Sequence, residues 1–219
     1  MSGFVCRIFF HGRISNRSSI LEMLFAVTTG NPYLVFKYLV DMALANWLLS
    51  YHKRMAIIIS ESDLARVRER HRDKGIVFCS GSFDLTHAGH VLFFEDCKKH
   101  GDILVVTVGA DAAIKKNKGS GRPIINEHAR LKIISSLAPV DYCLLENVSY
   151  RNPLDHIAAT LQQLHPDVYV VNEDAFDIYS RQEIAKKHNA KLIILKRWTP
   201  PEFEQISTTN IIQKIKQLS

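Results

Sequence analysis

The stretch Ser80-Gly81-Ser82-Phe83-Asp84-Leu85-Thr86-His87-Ala88-Gly89-His90 carries the densest chemistry of the chain. His87 and His90 stand three apart with Gly89 between them, a spacing that puts both rings on one side of a helix's first turn. Beside the positive end of the helix dipole, amides and imidazoles together suit a phosphate chain. Gly81 and Ser82 can bring backbone N–H groups close to the same anion. A zinc pair is the other reading of two histidines, but no third ligand is obvious nearby.

Two further segments offer anion chemistry. Ser207-Thr208-Thr209, just before Ile211-Ile212, marks a helix N-terminus whose hydroxyls and free amides make a second anion site; the plain alternative is capping alone. The basic, glycine-rich run Lys115–Pro123 reads as a solvated loop or as a lid that closes on phosphates, with Lys118 neutralising their charge. Arg130 could anchor a phosphate bidentately or pair with Glu127 one turn back.

These residues need a scaffold, and the pattern from Gly75 onward predicts one. Short apolar runs at 76–79, 103–108, 142–145, 168–171 and 192–195 alternate with helices at 91–100, 127–137, 154–164, 178–188 and 208–217, and a loop is expected from 115 to 125. Continuous apolar strands separated by helices imply a parallel sheet covered on both faces, a doubly wound α/β fold that binds ligands at the carboxyl ends of its strands. Residues 1–74 form an N-terminal helical extension in this reading, with 75–219 as the second domain. The extension holds two helices meeting at Gly30-Asn31-Pro32, then a charged helix over Ser62–Arg70 whose arginines face solvent. Apolar residues cover most sides of the helix after Pro32, while Lys37 and Asp41 interrupt any run long enough to span a membrane. Residues 20–52 are therefore expected to pair with a second copy in a homodimer.

Composition narrows the classes. The chain has 219 residues and a formal charge of +6, of which +5 falls in residues 1–74, so the near-neutral remainder argues against nucleic acid. Four scattered cysteines without a CxxC pair, and no secretory pattern at the N-terminus, favour a reducing, cytoplasmic setting.

GSFDLTHAGH resembles the HxGH signature of the nucleotidyltransferase superfamily, which includes the cytidylyltransferases. The resemblance extends through Asp111, "KGSGRPIINEHAR", Val140-Asp141 and "ISTTNIIQKI". The KG-x-x-RP loop and the STTNII ending are most similar to heptose-phosphate adenylyltransferases, with glycerol-3-phosphate cytidylyltransferases nearby. The resemblance implies transfer of NMP from ATP or CTP to a phosphorylated sugar or polyol, with pyrophosphate released and Mg²⁺ held by the nucleotide. It implies that His87 and His90 contact the triphosphate, and that Gly81, Ser82, Phe83, Asp84, Gly89, Asp111, Asn172 and Asp174 belong to the nucleotide site. Some relatives carry an arginine shortly before STT; here Glu202-Phe203-Glu204-Gln205 stands there, leaving Arg197, Arg122 or Arg130 to supply the charge. A non-catalytic nucleotide-binding regulatory module is the alternative.

Overall fold

The computed structural model describes residues 28–52, 55–150, 152–203 and 206–218. The chain divides into two units, Met1–Lys53 and Arg54–Ser219. In the first, helix α1 (Pro32–His52) starts as its sequence dictates: Asn31 Oδ1 accepts the N–H of Tyr33 at 3.0 Å, with Pro32 at the first helical position. The helix expected before Gly30 lies almost wholly outside the described residues. No helix among the described residues is long and apolar enough to cross a membrane.

The second unit is built on six parallel strands, β1 (Ile57–Ile58), β2 (Ile76–Gly81), β3 (Ile103–Val108), β4 (Tyr142–Leu145), β5 (Val168–Asn172) and β6 (Lys191–Leu195), in the order β1-β4-β3-β2-β5-β6. The helices are α2 (Leu64–Arg70), α3 (Ala88–Lys98), α4 (Asp111–Lys118), α5 (Glu127–Ser135), α6 (Pro153–Leu164), α7 (Ile178–Lys187) and α8 (Thr208–Leu218).

Strand residues alternate between two cores. Val77, Cys79, Leu104, Val106 and Val170 face Phe93, Phe94 and Cys97 of α3 and Leu131 and Ile134 of α5. Ile76, Phe78, Val105, Leu144, Tyr169 and Val171 face Leu64 and Val67 of α2 and Ile157, Leu161 and Leu164 of α6. This double burial is why the strands read as unbroken apolar runs. Winding reverses at β2: β3 and β4 follow on one side, β5 and β6 on the other, and β2 and β5 pair only as far as Cys79 and Val170 although they run on to Gly81 and Asn172.

Three expectations change. The boundary moves from residue 74 to 53, because Ile57 and Ile58 pair with Tyr142 and Cys143 and α2 buries Leu64 and Val67 against the sheet. A two-residue strand has no periodicity to betray it. Arg68 is not a solvated arginine of that helix: its guanidinium bonds the His165 carbonyl at 3.1 Å and Asp167 at 3.0 Å. The segment read as a loop from 115 begins instead as the end of α4, anchored by buried Ile114 and by Glu127, whose carboxylate accepts the Asp111 N–H at 2.7 Å.

Candidate active site

A cavity of about 1190 Å³ opens at the carboxyl edge of the sheet, reaching from the start of α3 on one face to the start of α6 on the other. His87, His90, Lys118, Gly81, Ser82, Phe83, Asp84, Gly89, Arg122, Asn172, Asp174, Ser207, Thr208 and Thr209 all line it, whereas Asp111 and Arg130 do not.

The two histidines are built into the start of α3. His87 is its N-cap; its Nδ1 accepts the Gly89 N–H at 3.1 Å, while His90 Nδ1 accepts the His87 N–H at 3.4 Å. With both Nδ1 atoms accepting, each neutral ring carries its proton on Nε2 as a donor. The rings stack with centroids 4.0 Å apart. Burial drives both pKa values down, His90 to about 3, with His87 and the cations Arg197 and Lys118 adding to the push on His90. Both are therefore neutral at pH 7. Gly89 leaves room for the His87 ring: a Cβ there would lie 3.0 Å from His87 Cε1 and would press on it. Phe83 backs the pair rather than opening to solvent: it is buried, edge-on to His90 at 5.5 Å and tilted against Phe94 at 4.9 Å.

Beneath the histidines lies a clamp. The Asp84 side chain is buried, and its carboxylate accepts the N–H groups of Leu85, Ile124 and Ile125 and the Arg122 Nε–H at 2.8 Å. Burial pushes this carboxyl up, but the Ile124 and Ile125 amides and Arg122 outweigh it and hold it below the usual range. These bonds offset the strain of Phe83 and Leu85, which flank Asp84 at φ 47° and 45° in the left-handed region. Asp84 thus shapes the loop while still lining the cavity.

Arg130, expected at a phosphate, and Asp111, expected in the nucleotide site, instead form a second internal brace outside the cavity lining. The Arg130 side chain is fully buried and donates to the Ile125 carbonyl at 2.9 Å, the Ser82 carbonyl at 2.5 Å and Asp111 at 2.7 Å. It forms its ion pair with Asp111, not Glu127. It fixes the Ser82 carbonyl, and so the turn that leads to His87.

At the facing helix α8, Ser207 Oγ accepts the Asn210 N–H at 3.1 Å and caps the helix start. Thr208 differs from expectation: its hydroxyl donates to the Asp84 carbonyl at 2.8 Å, stitching α8 to the β2 loop. Lys118, at the end of α4, donates to Ser82 Oγ at 2.9 Å, and burial followed by the nearby Arg122 charge lowers its pKa. Of the three arginines considered, Arg122 and Arg197 line the cavity: Arg122 is held through Nε by buried Asp84 at 2.8 Å, and Arg197 pairs at 2.5 Å with Asp174, which is half exposed. Such an exposed pair is weak and exchangeable. The sequence missed Thr107, Glu146, His156 and Trp198 as lining residues. A polar residue inside an apolar strand, or on the apolar side of a helix, was the available signal for the first and third.

Comparisons with known proteins bear on the family and the fold. The family described as cytidylyltransferase-like matches residues 78–214. The chain is 31% identical over 174 residues to "Bifunctional protein HldE" of Syntrophotalea carbinolica, covering 79% of this chain and 33% of that protein. It is 37% identical over 161 residues to the protein of the same name from Helicobacter pylori (strain HPAG1), covering 73% and 31%. The chain spans about a third of the length of these relatives. Among solved structures, pantoate-beta-alanine ligase from Francisella tularensis shares the fold at 16% identity and a TM-score of 0.54, covering 74% of this chain and 77% of that one. Through residues 78–214 the chain belongs to the cytidylyltransferase-like family of nucleotidyltransferases.

Proposed function

We propose that the cavity transfers a nucleotidyl group from ATP or CTP to a phosphate oxygen of a phosphorylated sugar or polyol. An acceptor phosphate oxygen attacks the α-phosphorus in line; the bond to the oxygen bridging to the β-phosphate breaks, and pyrophosphate leaves with that electron pair. No covalent intermediate on the protein is needed, since positioning and electrostatics dominate such transfers. The observation that carries the reading is the stacked pair His87 and His90, neutral and with both Nε2–H donors left free by Nδ1 bonds within the helix start. The two donors meet the oxygens on which charge builds. Lys118, Ser207 and the first amides of α8 take the departing phosphates, and Arg197 exchanges Asp174 for phosphate.

Mg²⁺ supplies charge neutralisation and phosphate alignment when bound. Among the described residues no group of three or more His, Cys, Asp and Glu could hold an ion by itself, and Asp84 is already saturated. In this reading the ion arrives with the triphosphate, whose oxygens hold it. Resemblance to heptose-phosphate adenylyltransferases points the acceptor toward a sugar phosphate. A panel crossing four NTPs with phosphorylated sugars and polyols tests the reading. Mg²⁺-dependent pyrophosphate release with one pairing is expected, and none with any pairing would refute it.

A further inference from the structure

The α6 end of the cavity holds chemistry that the transfer step does not use. Among the described residues, only two buried side-chain polar atoms lack a hydrogen-bond partner, Thr107 Oγ1 and His156 Nδ1. Both residues line this one cavity, and both are nearly inaccessible, at 2% and 1% exposure. Orphaned buried polar atoms are costly, so two in the same cavity point to a ligand that completes them. Thr107 is on β3 and His156 one turn into α6, packed on the sheet face opposite α3.

His156 is held in place. Its Nε2 lies 3.4 Å from Thr160 Oγ1, and its ring leans on Tyr150 with centroids 5.5 Å apart. Tyr150 in turn donates to Glu61, which also accepts from Asn147 at 2.7 Å and from Gln163 at 3.3 Å. Burial keeps the imidazole neutral. The walls around these atoms do not suit a phosphate. Arg181 is occupied by the Tyr169 hydroxyl, the Phe176 carbonyl at 2.8 Å and the Phe176 ring at 4.3 Å. Half-buried Glu146, which accepts the Ala110 N–H at 3.1 Å, brings a carboxyl group. The Thr107 hydroxyl both donates and accepts, and His156 Nδ1 does one or the other according to its tautomer, so ligand hydroxyl groups, which also do both, complete these atoms beside a carboxyl group better than an anion does.

We infer that Thr107 and His156 bind the hydroxyl groups of the acceptor and select a polyhydroxylated one. The inference rests on the proposed transfer reaction and names the place where its acceptor is read. Thr107→Val is the cleanest probe, because an isosteric change that removes an unsatisfied hydroxyl leaves the unliganded fold at least as stable. With the full chain, pyrophosphate release is measured against an active sugar or polyol phosphate and against a simple alkyl phosphate. Thr107→Val and His156→Leu should each raise the acceptor KM about tenfold, leave the NTP KM unchanged and narrow the preference over alkyl phosphate. Unchanged acceptor KM and preference in Thr107→Val, with wild type active, would overturn the inference while the transfer reaction stands. Wild type inactive with every acceptor would overturn both.

Discussion

The two ends of the cavity are wired differently. At the α3 end the polar side chains already have protein partners: Asp84 is saturated by backbone amides and Arg122, and His87 and His90 bond the helix start through Nδ1. At the α6 end Thr107 and His156 have buried atoms with no partner among the described residues. The contrast separates two demands. Charge that builds during transfer is best met by donors fixed beforehand, so that no reorganisation accompanies the reaction. Recognition of a particular acceptor is best met by groups that are satisfied only when that acceptor arrives.

The contrast is broken most severely by removing a fixed donor. His90→Ala should lower kcat by about 10²–10³-fold while NTP affinity changes far less, because its donor is set for charge that develops in the transition state. Steady-state kinetics with both substrates varied checks this, and a kcat within a few fold of wild type would remove His90 from the transfer step.

A smaller effect sharpens the picture of the buried imidazole. The folded pKa of His90, about 3, lies below the ordinary 6.5, so the unfolded chain binds the proton first. Stability is thus complete above pH 6.5 and falls as pH drops toward 3, by about 2 kcal/mol between pH 7 and 5 from this residue. His87 works in the same direction. Urea unfolding at the two pH values should show His90→Gln losing less stability on acidification than wild type. Equal losses would mean that the ring is not buried neutral.

The smallest effect concerns the stitch between α8 and the β2 loop. Thr208→Val deletes one hydroxyl-to-carbonyl bond and should cost about 1 kcal/mol of stability. NTP KM should move by no more than a few fold, since the hydroxyl hydrogen is directed to Asp84 and not into the cavity. A large KM change without a stability change would return Thr208 to the anion site.

What could be read from the sequence was local. The HxGH spacing, the Asn31 and Ser207 caps and the buried strands are set by neighbours within a turn or a pleat, and those were legible. The braces were not. Arg130 meets its partners Asp111 and Ser82 only after β3, α4 and α5 fold back on β2, and an arginine on a helix looks like a surface residue until then. The resemblance placed Asp84 at the nucleotide site, and it does line the cavity, but its bonds to residues some forty positions away could not be read from the motif. Strand β1 is two residues long and joins the sheet only through the tertiary partner β4. Thr107 and His156 showed themselves as polar residues among apolar neighbours, but only the cavity gives that a meaning.

The most direct measurement is a single turnover with the full chain in excess over α-labelled NTP and Mg²⁺, with and without the acceptor. The account predicts that label passes to the acceptor in step with pyrophosphate release, and that no pyrophosphate forms when the acceptor is left out. Tight NTP binding with the label unmoved in the presence of every phosphorylated sugar and polyol would contradict it, and would make the cavity a nucleotide-binding module without catalysis.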